Sequence, residues 1–110
     1  MSRTVKRYDI YLADLNPTIG GEIQKTRPVV VVSKTEMNRY LETVVVCPAT
    51  TSLHPEWRSR IQCRIAGKKA EIAVDQIRTI SKKRIVKKID TLPQEQGLTL
   101  RCLITEMYGE

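Results

Sequence analysis

"RPVVVVS", Arg27 to Ser33, is the stretch on which the fold turns. Four consecutive valines leave no polar face, so a strand built from them must be covered on both sides. Pro28 suits its opening, where a missing N–H is tolerated. A second continuous apolar run, Thr43 to Cys47, lies in "TVVVCPATTS" and predicts a second buried strand.

Outward from these runs the pattern changes period. Tyr8, Ile10 and Leu12 alternate with Asp9 and Tyr11 as in a half-buried strand, and Asn16-Pro17 with Gly20-Gly21 marks a long loop reaching Arg27. Ser33-Lys34-Thr35-Glu36 fits a capping box, which predicts a short helix carrying Met37, Tyr40 and Leu41. "PATTSLHPEWRSR", Pro48 to Arg60, reads as a loop. Ile61, Cys63 and Ile65 alternate with Arg60, Gln62 and Arg64, and Ile72 and Val74 with Glu71 and Ala73. With Gly67-Lys68 between them, these runs predict an antiparallel hairpin. Ile77–Ile80 and Ile85–Ile89 predict further short strands.

The C-terminal segment has helical spacing. Thr91-Leu92-Pro93-Gln94 fits a second capping box with proline in the first turn, and Leu100, Leu103, Ile104 and Met107 follow at i, i+3, i+4, i+7. Gly97 weakens that helix. The expected fold class is therefore α+β, mainly β. It is a small antiparallel barrel with a C-terminal α-helix and a short helix between strands, forming one domain over residues 1–110.

Composition narrows the functional classes. The chain has 110 residues, 41% of them hydrophobic and none phenylalanine, so the core must be aliphatic. Lysine plus arginine is 19 and aspartate plus glutamate 12, a formal charge of 19 − 12 = +7 that favours an anionic partner. No apolar stretch has spanning length and "MSRTVKRYDIYL" lacks a signal-peptide core, so a cytoplasmic, soluble chain with no membrane role is expected. Cys47, Cys63 and Cys102 are odd in number and widely spaced, which predicts buried free thiols rather than disulfides or a zinc site. No metal or other cofactor is expected.

The one histidine, His54, stands in a loop without acid or cysteine company and reads as a solvated side chain. An enzyme here would have to work without metal, cofactor or histidine centre. Arg27 is restricted to extended geometry by the following proline and tethered to a rigid strand, and its planar guanidinium suits phosphate oxygens. It also fits an arginine that merely ends a strand in solvent. "CPATTS" could donate hydroxyls and amides to phosphate, or form an ordinary Ser/Thr turn. Trp57, near Arg58 and Arg60, could stack on an unpaired base or cap the barrel edge. Lys82-Lys83-Arg84 and Lys87-Lys88 could track a nucleic-acid backbone or simply be solvated.

Three blocks, "LNPTIGGEIQKTRPVVVVS", "VVVCPATTS" and "VDQIRTISKKRI", together resemble the signature segments of the MazF/PemK toxins of bacterial toxin–antitoxin systems, in the same order and over nearly the whole chain. The resemblance implies an SH3-like, CcdB/PemK-type barrel that forms a homodimer. It implies a sequence-specific endoribonuclease cutting single-stranded messenger RNA without a metal, neutralised by a MazE-like antitoxin with an acidic disordered tail. The catalytic residues it implies are Arg27, Thr50 and Glu22. The RNA-binding residues are Gly21, Lys25, Thr51, Ser52, Trp57, Asp75, Gln76 and Arg78. Cleavage by the RNA's own 2′-hydroxyl needs no protein nucleophile, only in-line positioning, charge neutralisation and two proton transfers. This chain departs from the usual G-S-E-Q-G-G pattern, reading G-G-E-I-Q-K-T before Arg27, and carries Ala73 where some members have arginine. A gyrase poison of the CcdB kind, or a degenerate paralogue that binds RNA or antitoxin without cutting, are the alternatives.

Overall fold

In the computed structural model, which describes residues 4–16, 20–21 and 25–109, the valine run is buried on both sides. Val29 and Val31 join one apolar cluster with Tyr11, Ala13, Leu15, Val44, Val46 and Ile80. Val30 and Val32 join a second with Ile10, Cys47, Ile61, Ile72 and Leu100. Seven strands build this core: β1 (Asp9–Asp14), β2 (Thr26–Val31), β3 (Thr43–Thr50), β4 (Arg60–Ile65), β5 (Lys68–Ala73), β6 (Arg78–Ser81) and β7 (Ile85–Thr91). A short helix α1 (Thr35–Tyr40) joins β2 to β3, and α2 (Gln94–Tyr108) follows β7.

The described pairings are all antiparallel, in the order β4-β5-β3-β2-β1-β7, with β6 also on β3. β3 is shared between two ladders. Thr43 to Val46 pair with β6, whereas Ala49 and Thr50 pair with β5. Pro48, with no N–H to give, stands at the changeover, where the loss of a ladder donor is least felt. The result is a strongly coiled half-barrel with α2 laid against it. Among the described residues β4 and β7 share no ladder. The Asp90 carboxylate instead accepts the Ala66 amide at 2.8 Å and ties the hairpin tip to β7.

The α+β, mainly β architecture is the one expected, but several details differ for identifiable reasons. The hairpin turns on Ala66-Gly67 rather than Gly67-Lys68. Both turn residues have positive φ (50° and 82°), as a two-residue turn matching the strand twist requires. Neither capping box forms. The Ser33 hydroxyl is spent on Asn38 Oδ1 and the Val45 amide, so Lys34 occupies the cap of α1, whose buried residue is Asn38. Met37, Tyr40 and Leu41 are exposed. Thr91 is still paired with Asp9 in β7, so α2 starts only at Gln94 with Pro93 at its cap. Leu100 is fully buried, with Leu103, Ile104 and Met107 packed around it, as the spacing predicts.

Cysteine expectations hold for two residues of three. Cys47 and Cys63 are buried free thiols, whereas Cys102 is exposed on α2. Burial, helped by Asp75, pushes the Cys47 thiol up to about 12; burial, helped by Asp90, pushes Cys63 up to about 11. Thiolate is the reactive species. A maleimide at neutral pH is therefore expected to label Cys102 alone in the native protein and all three cysteines in denaturant. Rapid native labelling of more than one site, read by mass spectrometry, would contradict this packing.

Candidate active site

Arg27 is half-buried near the start of β2, and the chain enters that strand through a constrained turn. Lys25 has φ 69°, a left-handed conformation that costs a non-glycine residue about 1–3 kcal/mol. Two hydrogen bonds hold it there. Leu15 N–H donates to the Lys25 carbonyl at 3.1 Å, and Lys25 N–H donates to Asn16 Oδ1 at 3.1 Å. Hydrogen bonds here enforce a geometry that glycine would adopt freely.

The sheet register brings distant residues into line. β2 and β3 pair Val31 with Val46, Val30 with Cys47 and Val29 with Pro48, and Arg27 and Thr50 lie two residues beyond the last of these pairs on the two neighbouring strands. Thr50 in turn pairs with Glu71 on β5, and Glu71 with Gln62 on β4. Directly opposed residues in an antiparallel ladder share a face, with Cβ atoms about 4.5–5.5 Å apart. Thr50, Glu71 and Gln62 thus form one row across three strands, with Arg27 on the neighbouring β2. Arg78 lies on the same face, opposite Val46, and its guanidinium donates to the Leu15 carbonyl at 3.5 Å. The Thr50 hydroxyl accepts the Ser52 amide at 3.1 Å, which leaves its own O–H free to donate outward.

Beside Thr50 the chain builds a buried ionic clasp. The Glu71 side chain, 0% exposed, accepts from His54 N–H at 2.5 Å, Gln62 Nε2 at 2.6 Å and Arg60 at 2.7 Å. Arg60, 6% exposed, also donates to both Asp75 oxygens at 2.8 and 3.4 Å and lies 4.7 Å from the Trp57 ring centroid. His54 stacks on Trp57 with centroids 3.9 Å apart. His54 is therefore partnered rather than simply solvated. Burial opposes ionisation of Glu71, but the hydrogen bonds from Gln62, the His54 amide and Arg60 outweigh it and hold the carboxyl below the usual range. Asp75 shows the same balance, with Arg60 and Ser59 overcoming burial.

Carboxyls depressed on folding stabilise the protein above their unfolded pKa, near 4, and that contribution disappears as pH falls through the lower folded values. The urea midpoint is thus expected to fall steeply with acidification below about pH 4, and less steeply in Glu71→Gln. Parallel curves for the two proteins would remove Glu71 from the acid transition.

The expected site residues are distributed as follows. Arg27, Thr50 and Arg78 share one face. Trp57 and Asp75 are joined to that region through Arg60. Gln76 is half-buried directly after Asp75. Thr51 and Ser52 are exposed at the end of β3, and Gly21 and Lys25 are exposed in the loop before β2. Glu22 lies outside the described residues. Sequence reading named Arg60 only as a neighbour of Trp57 and overlooked Gln62 and Glu71, because alternation in β4 and β5 made them look like solvent-facing positions. The hairpin register carried the missing signal, since a turn at 66–67 sets Gln62 against Glu71. Among the described residues no group of three His, Cys, Asp or Glu side chains converges to hold a metal ion. No helix among them is long and apolar enough to cross a membrane.

A basic half-barrel that lines up an arginine, a hydroxyl and a second arginine on one face is a scaffold suited to a phosphodiester anion. Residues 6–107 match the family of PemK-like, MazF-like toxins of type II toxin-antitoxin systems, and the chain belongs to that family. It is 32% identical over 100 residues to the endoribonuclease MazF of Staphylococcus epidermidis, covering 84% of this chain and 81% of that protein. The fold matches MazF of Deinococcus radiodurans with a TM-score of 0.87 at 17% identity, over 99% of this chain and 100% of that one. It also matches a mycobacterial endoribonuclease solved with its cognate antitoxin, with a TM-score of 0.79 at 17% identity, over 96% and 95% of the two chains.

Proposed function

We propose that this chain is the toxin of a type II toxin–antitoxin pair, an endoribonuclease that cuts single-stranded RNA, chiefly messenger RNA, at a short sequence motif. The reading is supported by the strand arrangement, which puts Arg27 on β2 and Thr50 on β3, neighbouring strands of one sheet. The 2′-hydroxyl of a ribose attacks the adjacent phosphorus, and the bond to the 5′-oxygen of the next nucleotide breaks. A 2′,3′-cyclic phosphate and a 5′-hydroxyl remain. Arg27 neutralises the phosphate oxygens as charge builds on them. The O–H of Thr50 donates to one of them, Glu22 takes the 2′ proton, and the leaving 5′-oxygen takes a proton from solvent water. Gly21, Lys25, Thr51, Ser52, Trp57, Asp75, Gln76 and Arg78 contact the RNA strand.

A cytoplasmic homodimer forms the working unit, and a MazE-like antitoxin with an acidic disordered tail neutralises it. The net charge of +7 suits both anionic partners. The name of the Staphylococcus epidermidis relative supports this reading over a gyrase poison. Purified protein mixed with a long defined RNA in EDTA tests it. Discrete cuts that leave 5′-hydroxyl ends at a recurring motif are expected, and RNA left intact would overturn the proposal.

A further inference from the structure

The Glu71 carboxylate is fully buried, yet no step of RNA cleavage uses it. An ion pair of this kind is expensive, because desolvation removes most of its Coulombic gain, and an apolar pair of similar volume is often as stable. Its placement suggests what it accomplishes instead. Glu71 is the ladder neighbour of Thr50, and its oxygens take hydrogen bonds from β4 and from the His54 amide, four residues beyond Thr50. Arg60 continues the connection to Asp75, directly before Gln76, and to Trp57. Three separate pieces of the candidate groove are therefore referred to one buried charge pair: the Thr50–His54 loop, the Trp57 ring and the Asp75–Arg78 segment.

We propose that Glu71 and Arg60 are positioning residues, a buried clasp that fixes the Thr50 loop and the Asp75–Arg78 segment in the geometry needed to hold the scissile phosphate. The inference rests on the ribonuclease reading above. A displacement of about 1 Å in such a site can lower turnover about 100-fold. Glu71→Gln keeps an oxygen that can accept the His54 amide but removes the charge facing Arg60. The double variant Arg60→Leu with Glu71→Leu removes the clasp without leaving either partner buried and unpaired.

The test compares kcat, KM and Tm of the wild type, Glu71→Gln and the double variant on a short RNA containing the mapped cleavage motif. The double variant is expected to unfold within a few degrees of wild type, while its kcat falls about 10- to 100-fold with a smaller change in KM. Glu71→Gln falls between the two. The only tryptophan in the chain is Trp57, so acrylamide quenching reports the loop directly and is expected to rise in the double variant. Wild-type kcat in a folded double variant would overturn the clasp and leave the ribonuclease reading intact. A wild-type protein that cuts no RNA would overturn both.

Discussion

Arg27→Ala is expected to cut RNA about 100- to 1,000-fold more slowly than the wild-type chain, with a Tm within a few degrees. The rate loss is that of removing one preorganised donor from a site where negative charge develops. The Arg27 backbone is constrained on both sides. Pro28 restricts the Arg27 backbone, and the preceding Lys25 is locked into a left-handed turn by Leu15 and Asn16. Arg27→Lys recovers part of the rate, because a point charge replaces a planar fork. Single-turnover cleavage in EDTA, alongside thermal melting, measures both quantities. Undiminished cleavage by Arg27→Ala would remove the arginine from the chemistry while leaving the fold assignment untouched.

Gly97→Ala destabilises the protein, against the trend of helix propensity. In an exposed helix that change is favourable by about 1 kcal/mol. Here Gly97 is buried in the first turns of α2, and an added Cβ would lie 2.9 Å from two ring carbons of Tyr8. The ring cannot yield easily. Tyr8 has φ 72°, and its backbone is fixed by hydrogen bonds to Val31 and Leu92. Overpacking of this sort costs about 1–3 kcal/mol against the helix gain of about 1 kcal/mol, so the net loss is up to about 2 kcal/mol and Tm falls by up to roughly 10 °C. A rise in Tm on thermal melting would show that helix propensity wins and that Tyr8 moves aside.

The same glycine marks the limit of sequence reading. Propensity alone scored it as a weakness in a helix, whereas its neighbour in space is eighty-nine positions away by subtraction (97 − 8) and invisible to local pattern. Glu71 is the converse case. Alternation marked it as polar and therefore outward, because in a half-buried strand polar and outward are usually the same thing. They separate here because the hairpin sets Arg60 and Gln62 of β4 beside the carboxylate and the 51–59 loop adds the His54 amide. The capping boxes failed for a related reason. Ser33 and Thr91 had the right chemistry, but sheet partners claimed both before a helix could.

What the sequence determined by itself was whatever depends on nearest neighbours and short periods. The valine run had to be a strand covered on both faces, Leu100 and its spaced companions had to form a buried helix face, and Arg27 had to be extended ahead of Pro28. The signature blocks added the family. The tertiary structure alone decided who stands opposite whom. Register places Thr50 beside Glu71, although 21 positions separate them (71 − 50). That pairing depends on a one-residue choice of register between strands, which no local period encodes and which only the packing of the whole sheet selects.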